Sequence, residues 1–294
     1  MKEITGKGIK KIFCAVWAFF FAFSAFSCGG ANESSETFYT DVYILAGQSN
    51  AVGYTLFSGC DEIYKTGFEN VKIFQGGEQE TYNPTKVGAW FSIKTGLGQT
   101  PNKSGIELGF AEVLSPVYEG SECRIIRYGW GGRTLYNDFA PPSVMEEDDP
   151  ETRGQYYRNI VDTVEKGLES MEAEGLTPRI RAIFWMQGEH DATQEQYAEA
   201  YEENLTALIG DMRVLYGDVW FVIGQIAANS PNNSRYAPTV IAAQNAVAEK
   251  TEKTFVVDTS DLPLDVEKDP WHWQISEMLE LGRRFGEFVK QVIL

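Results

Sequence analysis

The chain has 294 residues, of which 23% are charged and 43% are hydrophobic, and its formal net charge at neutral pH is −17. A protein this acidic is repelled by nucleic acid phosphates, which excludes nucleic acid as a partner and favours an uncharged substrate. The length suits one α/β domain or two small ones.

The first 28 residues have the pattern of a bacterial export signal. Lysines precede an apolar stretch at 12–26 that is too short for a convincing membrane span. A small residue before Cys28 and two glycines after it resemble a lipobox, which implies cleavage before Cys28 and a lipid on its thiol. The alternative is an ordinary signal peptide with Cys28 incidental. We predict a signal peptide at 1–27, a flexible tether at 28–37, and an exported, lipid-anchored domain at 38–294 in the periplasm or at the cell surface.

Short apolar strands alternate with amphipathic helices along the rest of the chain. Strands are predicted at 42–47, 71–74, 124–129, 179–186, 219–224 and 254–258. Helices are predicted at 107–118, 155–174, 195–216, 238–250 and 273–292, with long loops at 75–105 and 141–149. This alternation predicts a parallel sheet covered by helices on both faces.

Four polar motifs fall where ligands of such a sheet bind, beyond the carboxyl ends of the strands. The motifs are GQSN at 47–50, GWGGRT at 129–134, QGEHD at 187–191 and DPWH at 269–272. Because the carboxyl ends of parallel strands meet at one edge, we expect the four motifs to lie together.

The candidate nucleophile is Ser49, in the stretch ILAGQSNAVGY at 44–54. A serine hydroxyl needs a base to remove its proton. His272 is the candidate base, because Asp269 three residues earlier can bind its Nδ1–H and fix the tautomer. His190 is the competing base. The structural alternatives are a turn or helix cap at Ser49 and a helix cap at Asp269.

An acyl transfer also needs hydrogen-bond donors for the developing oxyanion. Gly131 and Gly132 can offer backbone N–H groups with no Cβ in the way, and Gln187 can offer a side-chain N–H. The N–H of Ser49 would be a further donor. The alternatives are a plain tight turn at the glycines and a glutamine that satisfies loop backbone.

Cysteines and histidines show no spacing typical of a metal site, and we predict no metal or organic cofactor. Two cysteines, Cys60 and Cys123, follow the predicted lipidation site. They could pair in an oxidising compartment or remain buried thiols, and the spacing leaves both open.

Taken together, GQSN, WGGRTL, WMQGEHD and DPWH resemble the SGNH-hydrolase superfamily. Within it, the chain is similar to the sialate O-acetylesterase-like carbohydrate esterases of carbohydrate esterase family six, from about residue 41 to 290. The resemblance implies a three-layer α/β/α sandwich with a central parallel sheet, a flavodoxin-like SGNH fold, and a Ser-His-Asp triad.

The resemblance assigns the triad to Ser49, His272 and Asp269. It assigns the oxyanion hole to Ser49, Gly132 and Gln187, the last standing where many superfamily members have Asn.

Other motif positions are expected to bind substrate or to support the triad. They are Gln48, Asn50, Arg133, Glu189, Asp191, Tyr136 and Trp271. Many relatives have Thr or Ser directly after the two glycines, so Arg133 is a departure that leaves the acceptor sugar open; a solvated loop arginine is the alternative. Tyr136 and Trp271 lie in loops and are candidate platforms for a sugar ring.

The sequence therefore predicts a secreted serine esterase that removes O-acetyl groups from carbohydrates through an acetyl-enzyme intermediate. Its partner would be an acetylated oligo- or polysaccharide, of acetylxylan or sialate type. One alternative is an inactive surface lipoprotein that binds carbohydrate on the same fold. Another is a glycoside hydrolase using Glu189 and Asp191 as paired carboxylates.

Overall fold

The structure is a computed structural model that describes residues 37–233 and 235–294. The predicted signal peptide and lipidation site Cys28 lie outside the described residues, as does the predicted tether apart from Thr37. Within these described ranges, no helix is both long enough and apolar enough to cross a membrane.

A seven-stranded sheet and a two-stranded sheet are present in the described part of the chain. The strands are β1 (Thr40–Gly47), β2 (Thr55–Leu56), β3 (Phe68–Gln75), β4 (Trp90–Ile93), β5 (Lys103–Ser104), β6 (Cys123–Gly129), β7 (Pro178–Met186), β8 (Trp220–Gly224) and β9 (Thr254–Val257). The large sheet has the order β4-β3-β6-β1-β7-β8-β9, and every pair in it is parallel except β3 with β4. β2 pairs with β5 in antiparallel fashion.

Helices connect the strands. They are α1 (Ser49–Val52), α2 (Glu62–Thr66), α3 (Gln79–Tyr82), α4 (Glu107–Val117), α5 (Gln155–Ala173), α6 (Glu195–Glu199), α7 (Tyr201–Tyr216), α8 (Ala237–Lys250) and α9 (Ile275–Phe288). Single 3₁₀ turns span Pro84–Lys86, Pro142–Val144 and Asp191–Thr193, and a π-helical turn, Val289–Ile293, follows α9.

Alternate residues of the central strands pack against helices on opposite faces of the sheet. On one face, the ring of Tyr43 in β1 lies 5.7 Å from that of Phe110 in α4. On the other face, Ile126 of β6 lies against Gly167 of α5, where an added Cβ would come within 2.7 Å of the isoleucine. The predicted three-layer α/β/α fold is confirmed, with one antiparallel edge strand, β4, added to the predicted parallel sheet.

Several element boundaries differ from the predictions. The predicted loop at 75–105 contains α3, β4 and β5, and the predicted helix at 195–216 is divided at Ala200 into α6 and α7. The last helix begins at Ile275, two residues later than predicted. β4 lies at a sheet edge, and its four residues, Trp90–Ile93, are a short run of which only the last is fully buried.

Strand order places the predicted site at the centre of one sheet edge. Strands β6-β1-β7-β8-β9 have the 2-1-3-4-5 order of flavodoxin-like sheets, in which ligands bind where the chain reverses direction across the sheet. Here the reversal involves β1, β6 and β7. Gly47 pairs with Gly129 on one side and with Met186 on the other, so the three strands end level.

Candidate active site

The segment after β1 turns sharply because Gly47 adopts a conformation that other residues avoid. Its φ is +144°, and a Cβ at this position would lie 2.0 Å from the carbonyl oxygen of Met186. The backbone N–H of Gln48 then donates to that carbonyl at 2.9 Å. Ser49 therefore begins α1 directly beyond the sheet edge, with only 5% of its surface exposed.

A pocket of about 300 Å³ opens above the ends of β1 and β6. Its lining residues are Gln48, Ser49, Tyr54, Gly131, Gly132, His190, Trp271 and His272. All four sequence motifs contribute lining residues, QGEHD through His190 alone. The volume is at the lower end of the range for sites that bind small molecules.

His272 and Asp269 form a hydrogen-bonded pair at the pocket. Nδ1 of His272 lies 2.8 Å from Oδ2 of Asp269, and Oδ1 accepts the backbone N–H groups of Trp271 and His272 at 2.9 and 3.1 Å. Burial alone would raise the pKa of Asp269, but these hydrogen bonds hold it below its ordinary value. Ser49 and His272 line the same pocket, although no hydrogen bond joins their side chains among the described residues.

His190 also lines the pocket, but it lacks the partner that a general base needs. No carboxylate bonds to its ring in the described chain, and burial lowers the pKa of its imidazole. Its backbone N–H donates to Oε1 of Gln48 at 3.4 Å. The geometry therefore favours His272 over His190 as the base.

The two glycines at the pocket rim have different hydrogen bonds. The N–H of Gly131 donates to Oε2 of Glu78 at 2.9 Å, so it is already engaged. The N–H groups of Gly132 and Ser49 have no protein acceptor within residues 37–233 and 235–294. Gly132 adopts a φ of +64°, the left-handed region. The geometry leaves two backbone donors for an oxyanion.

Gln187 does not reach the pocket, so its predicted oxyanion role requires correction. Its side chain is fully buried, and Nε2 donates to the carbonyl of Arg133 at 3.0 Å, to Asp191 and to Oε1 of Gln48 at 3.3 Å. Its own Oε1 accepts from Tyr201 at 3.1 Å. An amide with both hydrogens engaged inside the protein has none to offer to substrate.

Gln48, unlike Gln187, lines the pocket and has a side-chain amide NH₂ that no protein group in the described residues accepts. Its Oε1 accepts from Gln187 and from the backbone of His190, while its Nε2 donates to no protein group in the described part of the chain. Because Gln48 lines the pocket, its amide is a side-chain donor available next to Ser49, whereas the amide of Asn50 is already engaged.

Three further predicted residues form buried supports. Nδ2 of Asn50 donates to Glu189 at 2.6 Å and to the carbonyl of Trp271 at 3.3 Å, which links α1 to the loop carrying the base. Asp191 accepts the backbone N–H groups of Leu135 and Tyr136 at 2.9 and 3.1 Å. Burial raises the pKa of Glu189 and of Asp191 to about 7. Neither carboxylate lines the pocket, which argues against a glycosidase pair.

The remaining predicted contacts are divided between two pockets. Trp271 lines the first pocket, whereas Arg133 lines a neighbouring one of about 440 Å³, with its guanidinium 5.0 Å from the ring centre of Tyr156. Tyr136 lines neither; its ring stacks on Tyr197 at 4.8 Å.

Sequence reasoning missed Glu78 and placed its partner Tyr54 only in an aromatic cluster near the motifs, some of whose members could stack on sugar rings. The Tyr54 hydroxyl donates to the Glu78 carboxylate at 2.6 Å, and its ring stacks on the imidazole of His272. Glu78 lies in a segment predicted as loop, where no periodic pattern marks a buried residue. Only the closeness of Tyr54 to the serine motif could have suggested it.

Cys60 and Cys123 are both free thiols. Burial raises the pKa of the Cys123 thiol well above its ordinary value. Across the described residues, no group of three His, Cys, Asp or Glu side chains is arranged to hold a metal ion.

Comparison with protein-family models shows which family the chain belongs to. A family model described as carbohydrate esterase, sialic acid-specific acetylesterase, matches residues 39–291. The chain belongs to this family. It is a carboxylic-ester hydrolase that removes acetyl groups from carbohydrates, and the family resemblance predicted from its motifs is confirmed. No curated protein sequence matches this acetylesterase significantly.

Solved structures resemble this acetylesterase over most of its length. A protein from Arabidopsis thaliana is 19% identical with a TM-score of 0.65, covering 87% of this chain and 100% of its own. NanS is 14% identical with a TM-score of 0.62, covering 86% and 97%. The carbohydrate acetylesterase XAC1771 from Xanthomonas citri is 18% identical with a TM-score of 0.61, covering 86% and 56%. At these identities the similarity shows a shared fold.

Proposed function

We propose that the protein is a serine esterase that removes O-acetyl groups from carbohydrates through an acetyl-enzyme intermediate. The observation that carries the proposal is the pocket itself. Ser49, Gly132 and His272 all line this small cavity, and His272 is hydrogen-bonded to Asp269. A nucleophile, an oriented base and oxyanion donors are the parts that acyl transfer requires.

In the proposed reaction, Nε2 of His272 takes the proton of the Ser49 hydroxyl as its oxygen attacks the acetyl carbonyl. The hydroxyl comes within hydrogen-bond reach of the imidazole as the ester binds, since such contacts often tighten only in the complex. The negative charge on the carbonyl oxygen is stabilised by the N–H groups of Ser49 and Gly132 and by Nε2 of Gln48.

His272 then donates its proton to the sugar oxygen as the bond from that oxygen to the acetyl carbon breaks, which frees the sugar hydroxyl and leaves the acetyl group on Ser49. Water activated by the same imidazole hydrolyses this ester, and acetate is released. Asp269 stabilises the imidazolium in both steps and holds the productive tautomer. The small pocket suits an acetyl group, and Trp271 at its wall offers an apolar surface to the sugar.

The function is tested by measuring acetate release from p-nitrophenyl acetate, acetylated xylan and O-acetylated sialic acid. Ser49→Ala is compared with wild type, and Ser58→Ala, which replaces an exposed serine outside the pocket, is the matched control. We expect turnover in wild type and Ser58→Ala and at least a thousandfold loss in Ser49→Ala.

Each other outcome favours a different function. Full activity in Ser49→Ala would refute the serine mechanism. Carbohydrate binding without acetate release, equal in wild type and Ser49→Ala, would support a binding lipoprotein. Release of shorter sugars instead of acetate would support a glycoside hydrolase. The better natural substrate identifies the sugar.

We further propose that the protein is exported and anchored by a lipid on Cys28, as the sequence pattern predicts. Cys28→Ala should abolish incorporation of radiolabelled palmitate and release the protein from the membrane fraction. Retention of the label in Cys28→Ala would contradict the proposed anchor.

A further inference from the structure

A face-to-face contact links Tyr54 to the proposed base. The phenol ring of Tyr54 lies 4.8 Å from the imidazole of His272, with 24° between the ring planes. Nζ of Lys103 also lies over the phenol ring, 4.6 Å from its centre and within cation–π range. The Tyr54 ring therefore contacts both an ammonium group and the imidazole.

A buried carboxylate fixes the end of this tyrosine. Glu78, which is 6% exposed, accepts the Tyr54 hydroxyl at 2.6 Å, the Gly131 N–H at 2.9 Å and Nε2 of Gln99 at 3.0 Å. Gln99 in turn accepts from Lys103 at 2.9 Å. Three donors compensate the desolvation of the Glu78 carboxylate, and charge-assisted bonds of this kind are strong.

The glycine loop packs directly on this pair. A Cβ on Gly131 would lie 2.6 Å from the hydroxyl of Tyr54 and 3.2 Å from Oε2 of Glu78, so only glycine fits without displacement. The loop that presents the free Gly132 N–H therefore takes its position from the same carboxylate that holds Tyr54.

We infer that Glu78 and Tyr54 are positioning residues of this esterase, which fix the His272 imidazole and the Gly132 oxyanion donor relative to each other. The inference rests on the proposed serine mechanism. Asp269 binds one edge of the imidazole and leaves the ring able to tilt about that bond. The stacked Tyr54 ring restricts the tilt.

Two variants separate the parts of this arrangement. Tyr54→Phe keeps the stacked ring and removes the hydroxyl that binds Glu78, while Tyr54→Leu removes the ring as well. Because a displacement of about 1 Å can reduce turnover about a hundredfold, we expect kcat to fall about tenfold in Tyr54→Phe and about a hundredfold in Tyr54→Leu. KM for p-nitrophenyl acetate should change little in Tyr54→Phe, because this variant keeps the ring that lines the pocket.

Glu78→Gln is the second test. A glutamine has one acceptor oxygen for three donors, and its NH₂ would face donors, so we expect a loss of kcat of about tenfold or more. Tyr64→Phe is the matched control, because Tyr64 donates to Glu112 at 2.8 Å in a similar tyrosine–glutamate bond outside the pocket. Its turnover should equal that of wild type.

The readout is kcat per active site, with sites titrated by a phosphonate ester that labels Ser49. A purely structural role would lower the number of sites and leave kcat per site unchanged. Wild-type kcat per site in Tyr54→Leu and Glu78→Gln, or an equal loss in Tyr64→Phe, would overturn the inference. Failure of wild type to be labelled, or turnover in Ser49→Ala, would instead refute the serine mechanism.

Discussion

Gly131 and Gly132 are adjacent, but replacing each by alanine should affect a different property: turnover at Gly131 and stability at Gly132. At Gly131 the added Cβ would lie 2.6 Å from the hydroxyl of Tyr54 and 3.1 Å from its Cζ, whereas at Gly132 it would meet no atom within 4 Å. Gly132 instead carries a φ of +64°, which an L-residue adopts with strain. One substitution disturbs a contact, and the other disturbs only the backbone.

The magnitudes follow from these contacts. Ordinary Cβ contacts begin near 3.4 Å, so Gly131→Ala must move the loop or the Tyr54 ring by a large fraction of an ångström. A shift of that size beside the reacting groups should lower kcat by about 10- to 100-fold. Gly132→Ala keeps its N–H in place, so its kcat should stay within about threefold. Its free energy of unfolding should fall by about 1 kcal/mol.

The assay combines kcat per titrated active site on p-nitrophenyl acetate with urea unfolding of both variants. The expected pattern is a turnover defect in Gly131→Ala and a stability defect in Gly132→Ala. The reverse pattern, or equal turnover in the two variants, would refute the view that the loop is positioned through Tyr54.

Three other outcomes are expected. Asp269→Asn should reduce kcat about a hundredfold or more by favouring the wrong imidazole tautomer, measured on p-nitrophenyl acetate, while Asp265→Asn in the same loop should leave kcat unchanged. Arg127→Met should lower the free energy of urea unfolding by about 3 to 5 kcal/mol, because it leaves the fully buried Glu107 without its partner at 2.6 Å; a loss below about 1 kcal/mol would contradict this. Burial raises the pKa of Glu189 from 4.5 to about 7, so the folded state favours the protonated carboxyl. The stability that this protonation contributes is complete below about pH 4.5 and is lost as the pH rises through 7. The difference in free energy of unfolding between wild type and Glu189→Gln should fall across that window, and a constant difference would disprove it.

The core of the fold could be predicted from sequence because the central strands β1 and β6 are buried along their whole length. Every residue of β1 and β6 is buried; β1 contains the apolar run at 42–46, and β6 has Ile125 and Ile126 between two buried arginines. In α5, Ile160, Val164 and Met171 are buried at helical spacing. β4 could not be predicted in the same way. It is half-exposed at an edge, and its pairing with β3 depends on a partner rather than on its own sequence.

The position of the site at the sheet edge was predictable from the sequence, but the orientation of its side chains was not. Motifs at strand ends predicted that Ser49, Gly132 and His272 would meet, because parallel strands end at a common edge. The sequence could not show which of two glutamines turns its amide hydrogens toward the pocket. Gln187 and Gln48 are chemically identical, and their roles depend on buried acceptors contributed by other loops.

The shared carboxylate of Glu78 has a consequence for how this pocket evolves. Loss of Glu78 would leave the Tyr54 hydroxyl without its acceptor. Loss of Tyr54 would open a gap beside Gly131, where the tyrosine now leaves no room for a Cβ. Energetic effects at such contacting positions are not additive. Relatives should therefore keep Tyr54, Glu78 and Gly131 together or replace them together, so the three positions should covary in an alignment despite their separation along the chain.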